Sequence, residues 1–163
     1  MKRVIAVAVC ALVLVSGQAV ADEWYIGAKA GVMKSDVAGL DDAQNMGVVI
    51  GYELLPVGLG DIAVEGEYTT TTNEGSTPVA GVNWGVDTTA VYAAFRSAGP
   101  IYLKAKAGYL YEDVSAGPAS GTDSGLSAGV GVGFGIGIAQ IELEYTQVEQ
   151  DIDFWSAQVN LDL

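Results

Sequence analysis

The stretch Ile101-Tyr102-Leu103-Lys104-Ala105-Lys106-Ala107-Gly108-Tyr109-Leu110-Tyr111-Glu112 decides the fold. Taken in steps of two, Ile101, Leu103, Ala105, Ala107, Tyr109 and Tyr111 make a wholly apolar or aromatic face. The opposite face, Tyr102, Lys104, Lys106, Gly108, Leu110 and Glu112, carries every charge. A helix would need apolar residues at i, i+3, i+4 and i+7; strict alternation is the period of a strand with two different environments.

The same alternation recurs on both sides. Trp24–Met33 sets Trp24, Ile26, Ala28, Ala30 and Val32 against Tyr25, Gly27, Lys29, Gly31 and Met33. Further strands are predicted over 46–54, 62–70, 86–96, 126–134, 139–148 and 152–163. Each is close to the roughly 9–11 residues that cross a bilayer at a tilt. The reading is an all-β, eight-stranded antiparallel up-and-down transmembrane barrel, because an even set of strands can close on itself. Long polar connections at Lys34–Asn45, Thr71–Gly85 and Asp113–Gly125, with a short fourth at Glu149–Asp151, alternate with tight links at Leu55–Asp61, Ser97–Pro100 and Gly135–Ile138. Such asymmetry is what an outer-membrane barrel shows.

Aromatic placement tests this independently of periodicity. Trp24, Tyr52, Phe95 and Phe134 fall near the short-turn rim, and Tyr68, Tyr109, Tyr111, Tyr145 and Trp155 near the other. Two outward girdles at interface height are the mark of a membrane barrel. Trp84, beside Asn83 and Gly85 in the second long connection, is read as an exposed aromatic that could contact lipopolysaccharide or a partner, or else as the top of the girdle. A soluble ligand-binding barrel has the inverse pattern, polar outside and apolar within.

Met1–Ala21 is an address. Lys2 and Arg3 form a basic n-region, Val4–Val15 an apolar core, and Ala19-Val20-Ala21 a small-residue cleavage site. The apolar run is shorter than the roughly 20 residues of a spanning helix. Residues 22–163 are the expected barrel domain, exported to the outer membrane of a Gram-negative-type cell. Cys10, in the leader, is the chain's one cysteine, so the mature chain has none.

Composition excludes several functions. The net charge is −13, the wrong sign for a nucleic-acid partner. Histidine is absent, which removes Ser-His-Asp chemistry and the commonest zinc and iron sites. The glycines from Gly125 to Gly137 include a GxxxG register, but so many in one stretch would unravel a helix. They carry no G-x-G-x-x-G and no G-K-[ST], so they are read as room for large side chains inside the barrel. No cofactor and no metal is expected. The acidic connections, with Asp36, Asp41, Asp42, Glu74, Asp113, Asp123, Glu149, Asp151 and Asp153, lack EF-hand spacing and are read as a solvated rim, with weak divalent-cation association as the alternative.

The phrases Gly51-Tyr52-Glu53, Glu65-Gly66-Glu67-Tyr68, Lys106-Ala107-Gly108-Tyr109 and Ile141-Glu142-Leu143-Glu144-Tyr145 carry a resemblance. The chain resembles the small eight-stranded outer-membrane β-barrels of the OmpA/OmpX type. The resemblance implies outer-membrane lipid and lipopolysaccharide around the barrel, handling by the β-barrel assembly machinery, and a monomer. Members usually end in an aromatic residue that this machinery reads, whereas this chain ends Leu161-Asp162-Leu163.

Inward charges make the candidate site: Lys29, Glu65, Glu67, Arg96, Lys104, Lys106, Glu142 and Glu144. An eight-stranded barrel is just wide enough to be filled by side chains, so these charges are expected to pair as a lumen ion network. The functional expectation is a non-enzymatic barrel with a structural or surface-interaction role. The alternative is a narrow conduit for ions or small solutes gated by exchange of the Lys–Glu partners. Paired carboxylates for glycoside hydrolysis would need room that a filled lumen lacks. A lipid-modifying enzyme ranks last, since members with such activity usually rely on a His-dependent site.

Overall fold

The computed structural model describes residues 24–163; the leader expected over Met1–Ala21 lies outside the described residues. The strands are β1 (Trp24–Ser35), β2 (Ala43–Val57), β3 (Gly60–Asn73), the two-residue β4 (Gly75–Ser76), β5 (Asn83–Ser97), β6 (Ile101–Ala116), β7 (Ala119–Ile136), β8 (Ala139–Glu149) and β9 (Ile152–Asp162). The eight long strands pair antiparallel in chain order. The β1–β9 ladder joins the ends of the chain, and β3–β5 pairing completes the ring, so the barrel presents no free edge around its waist.

Alternation sets the faces. Ile26, Val48, Val64, Val91, Leu103, Val130, Leu143 and Val159 point outward and are exposed, while their chain neighbours Tyr25, Val49, Glu65, Tyr92, Lys104, Gly129, Glu142 and Gln158 are buried. The outward aromatics pair across strands: Trp24 sits opposite Tyr52 with ring centroids 4.8 Å apart, and Tyr145 opposite Trp155 at 4.9 Å. Phe95 and Phe134 complete the short-turn girdle, and Tyr68, Tyr109 and Tyr111 the opposite one.

Short turns and the chain's C-terminus share one end. Leu163 donates its backbone N–H to Trp24 O there. Gly137 turns β7 into β8 with φ 62°, and Gly117 turns β6 into β7 at the other end with φ 57°, left-handed values that favour glycine.

Two of the connections predicted as long loops are largely strand. Asp113–Gly125 continues the β6–β7 ladder out to Ala116–Ala119, forming a hairpin arm. Thr71–Gly85 lengthens β3 and β5 and folds back as β4 against Trp84. The physical reason is that these segments stand beyond the girdles, where no lipid lies against their outer side. They carry no apolar–polar alternation, and only backbone pairing makes them strands. The β7–β8 ladder, by contrast, stops at Ala128–Gln147. Above that point β7 pairs on one side only, and Leu126 on its margin is 88% exposed.

Candidate functional site: an ion lattice in the lumen

Inward positions on β1, β3, β5, β6 and β8 deliver the lumen charges to two tiers. Nearer the short-turn end, Arg96 Nη2 contacts Glu65 Oε1 at 2.6 Å and Arg96 Nε contacts Glu142 Oε1 at 2.7 Å. Tyr25 donates its hydroxyl to Glu65 Oε1 at 2.6 Å and accepts from Arg96 Nη1 at 2.8 Å. Tyr102 donates to Glu142 Oε1 at 2.8 Å. Lys104 bridges the tiers, 2.9 Å from Glu65, 2.8 Å from Glu142, and paired with Glu144. In the upper tier Lys29 lies 2.9 Å from both Glu67 and Glu144, and Lys106 pairs with the same two carboxylates.

The structure therefore brings all eight residues together. Lys29, Arg96, Lys104 and Lys106 match Glu65, Glu67, Glu142 and Glu144 one for one, and every member is buried. Balance is a physical requirement here, since an unpaired charge in so dry a place is costly. Glycine makes the space: a Cβ at Gly51 would collide with the Tyr25 ring, and one at Gly133 with the Tyr102 ring.

An apolar plug, not foreseen in the sequence, covers the lattice on the long-loop side. Met33, Ala43, Trp84, Val86, Ala90, Tyr92, Leu110, Val148, Ile152 and Phe154 form one buried cluster. Its lower surface is aromatic: Lys106 Nζ lies 4.5 Å from the Tyr92 ring centroid and Lys29 Nζ 5.8 Å from that of Phe154. Both ammonium groups thus face π-electrons where they leave carboxylates. Leu110 and Val148 extend the inward faces that carry Lys106 and Glu144, and their apolar identity was the legible signal for this plug.

Trp84 is a correction. Read from sequence as an exposed loop aromatic or the top of a girdle, it is 3% exposed and donates Nε1–H to Asp41 O at 2.8 Å. The fold-back of β4 encloses it.

Glu112 is inward on β6 but lies beyond Tyr111 of the girdle, outside the segment that crosses the membrane. Burial, and then the Glu149 and Asp123 carboxylates, push its carboxyl up to about 7.

A closed antiparallel barrel with an apolar exterior, aromatic girdles and a polar, filled interior is a transmembrane β-barrel. The chain belongs to the outer membrane protein beta-barrel domain family, whose family model matches residues 5–162. No curated protein matches it in sequence. Among solved structures it is similar to Ail, the attachment invasion locus protein of Yersinia pestis, at 18% identity and TM-score 0.56, over 86% of this chain and 95% of that one. It is similar to the outer membrane protein OprG of Pseudomonas aeruginosa at 10% identity and TM-score 0.54, over 88% and 97%. It also resembles the outer membrane enzyme PagL at 13% identity and TM-score 0.51, over 84% and 99%. At such identities the likeness is one of fold. Membership of the family indicates an outer-membrane location.

Proposed function

We propose that this chain is a non-enzymatic outer-membrane barrel that displays its acidic outer end at the cell surface and conducts nothing through its lumen. The observation that carries this reading is the charge-balanced lattice under an apolar plug. An ion crossing the barrel would have to part several buried pairs and then traverse Met33, Phe154, Val86 and Leu110 without water. The apolar belt would contact outer-membrane lipid, the girdles its interfaces, and the rim the lipopolysaccharide headgroups. The leader, export and assembly by the barrel machinery, and the monomeric state, belong to the same reading.

The architecture accommodates an enzyme, as PagL illustrates, but with no histidine this chain lacks the usual general base. A polyanion partner is also disfavoured. Ail has been crystallised with the heparin analogue sucrose octasulfate, whereas the rim here carries Asp36, Asp41, Asp42, Glu74, Asp113, Asp123, Glu149, Asp151 and Asp153 against Lys34.

The test is single-channel recording on the purified chain in a planar bilayer, with folding verified by heat-dependent gel mobility. A silent bilayer is the expected result. Steady openings whose conductance shifts in Glu65→Gln or Lys104→Met would overturn the reading and make the lattice a gate.

A further inference from the structure

A second group of carboxylates has no counter-charge within ion-pairing distance among the described residues. Where the β7–β8 ladder ends, Glu112 from β6, Asp123 from β7 and Glu149 from β8 converge, with one oxygen from each within 4.8 Å of the others. They line a cleft of about 400 Å³ between the β6–β7 arm and the top of β8. Sequence alone put Asp123 and Glu149 in separate loops and Glu112 on the lumen face. Strand pairing joins Glu112 to Asp123 directly, and the end of β8 brings Glu149 beside them.

Two features separate this group from an ordinary acidic rim. Glu112 is 2% exposed, and its Oε2 has no hydrogen-bond partner although the residue lines the cleft. Among the described residues, no Lys or Arg forms an ion pair with any of the three. A buried carboxylate oxygen without donors, beside two further carboxylates, is a polar group awaiting a cation.

We propose that Glu112, Asp123 and Glu149 form a divalent-cation site, selective for calcium over magnesium, that ties the free margin of β7 to β8 at the outer rim. Oxygen-only donors suit hard cations. Two oxygens bound to one calcium ion at 2.3–2.6 Å can be no farther apart than roughly 4.6–5.2 Å, a limit that the three oxygens, all within 4.8 Å of one another, are compatible with. Calcium takes 6–8 oxygens in tolerant geometry, so water and the Gln147 and Gln150 amides lining the cleft can complete the shell. Magnesium demands near-octahedral ligands and dehydrates reluctantly. The cation would supply the tie that backbone pairing does not, since the ladder stops at Ala128–Gln147.

The test is isothermal titration of calcium chloride into the EDTA-stripped full barrel in phosphatidylcholine nanodiscs at physiological salt, so that no anionic lipid competes. One saturable site per chain is expected, with Kd in the range of about 0.1–1 mM that suits extracellular calcium modules. Magnesium should bind more weakly. Glu112→Gln should weaken binding about tenfold or more, and so should Asp123→Asn and Glu149→Gln, each still shifting on heating as a folded barrel. Asp123 and Glu149 are exposed, so those variants decide the matter should Glu112→Gln fail to fold. Absence of saturable heat, or an affinity untouched by the folded variants, overturns the proposal and leaves a diffuse acidic surface.

Discussion

The barrel holds two groups of convergent carboxylates, and they are built on opposite plans. Glu65, Glu67 and Glu144 meet in the lumen within ion-pairing distance of Lys29, Lys104 and Lys106. Glu112, Asp123 and Glu149 meet at the rim with no such partner among the described residues. The inner group is neutralised by the chain itself and roofed by apolar side chains; the outer is left open to an ion from solution. Similar residue types thus serve a permanent structural lattice in one place and an exchangeable site in the other. What differs is whether lysines reach the group from strands across the lumen.

The largest effect that would break this comparison comes from unbalancing the lumen. Arg96→Met removes partners from Glu65 and Glu142 together and should cost about 3–5 kcal/mol in urea unfolding from lipid vesicles. Adding Glu142→Gln should recover part of that loss, because the second change removes an orphaned charge. A single mutant as stable as the parent would mean that water reaches the lattice. Gly133→Val pushes on the Tyr102 ring and should cost about 1–3 kcal/mol by overpacking, read in the same titration.

Rim changes should be smaller and conditional. With calcium at ten times its Kd, the parent should gain about 1.4 kcal/mol of stability by mass action, and Glu112→Gln, binding tenfold or more weakly, about 0.4 kcal/mol or less. In EDTA the same variant should be as stable as the parent or more so, since it relieves repulsion among like charges. That reversal of sign between lumen and rim carboxylates is the sharpest form of the comparison. Trp84→Phe gives the smallest effect, about 1 kcal/mol, by deleting the bond to Asp41 O. Amide exchange should then rise in residues 36–42 and 74–82, leaving the lattice strands protected.

Much of this architecture is legible in the sequence wherever the two faces of a strand meet different solvents. Ile101–Glu112 shows it best: lipid on one side and a packed polar lumen on the other force alternation, and alternation reveals both strand and facing. Beyond the girdles that contrast disappears. Ser120, Thr122 and Ser124 face water as Gly121, Asp123 and Gly125 do, so the arm of β6 and β7 reads as loop although its backbone pairs throughout. Trp84 misled for the same reason, because nothing local distinguishes an aromatic under a fold-back from one in open solvent.

Residue pattern by itself was sufficient for the eight long strands, the outward girdles and the inward facing of Lys29, Glu65, Glu67, Arg96, Lys104, Lys106, Glu142 and Glu144, since each follows from period two along a single strand. Which inward charge touches which, where the apolar plug lies, and that Glu112, Asp123 and Glu149 share one cleft are relations between strands. They depend on shear and register around the closed ring. A one-residue slip in that register would leave every strand's own pattern intact while rearranging every contact across the lumen.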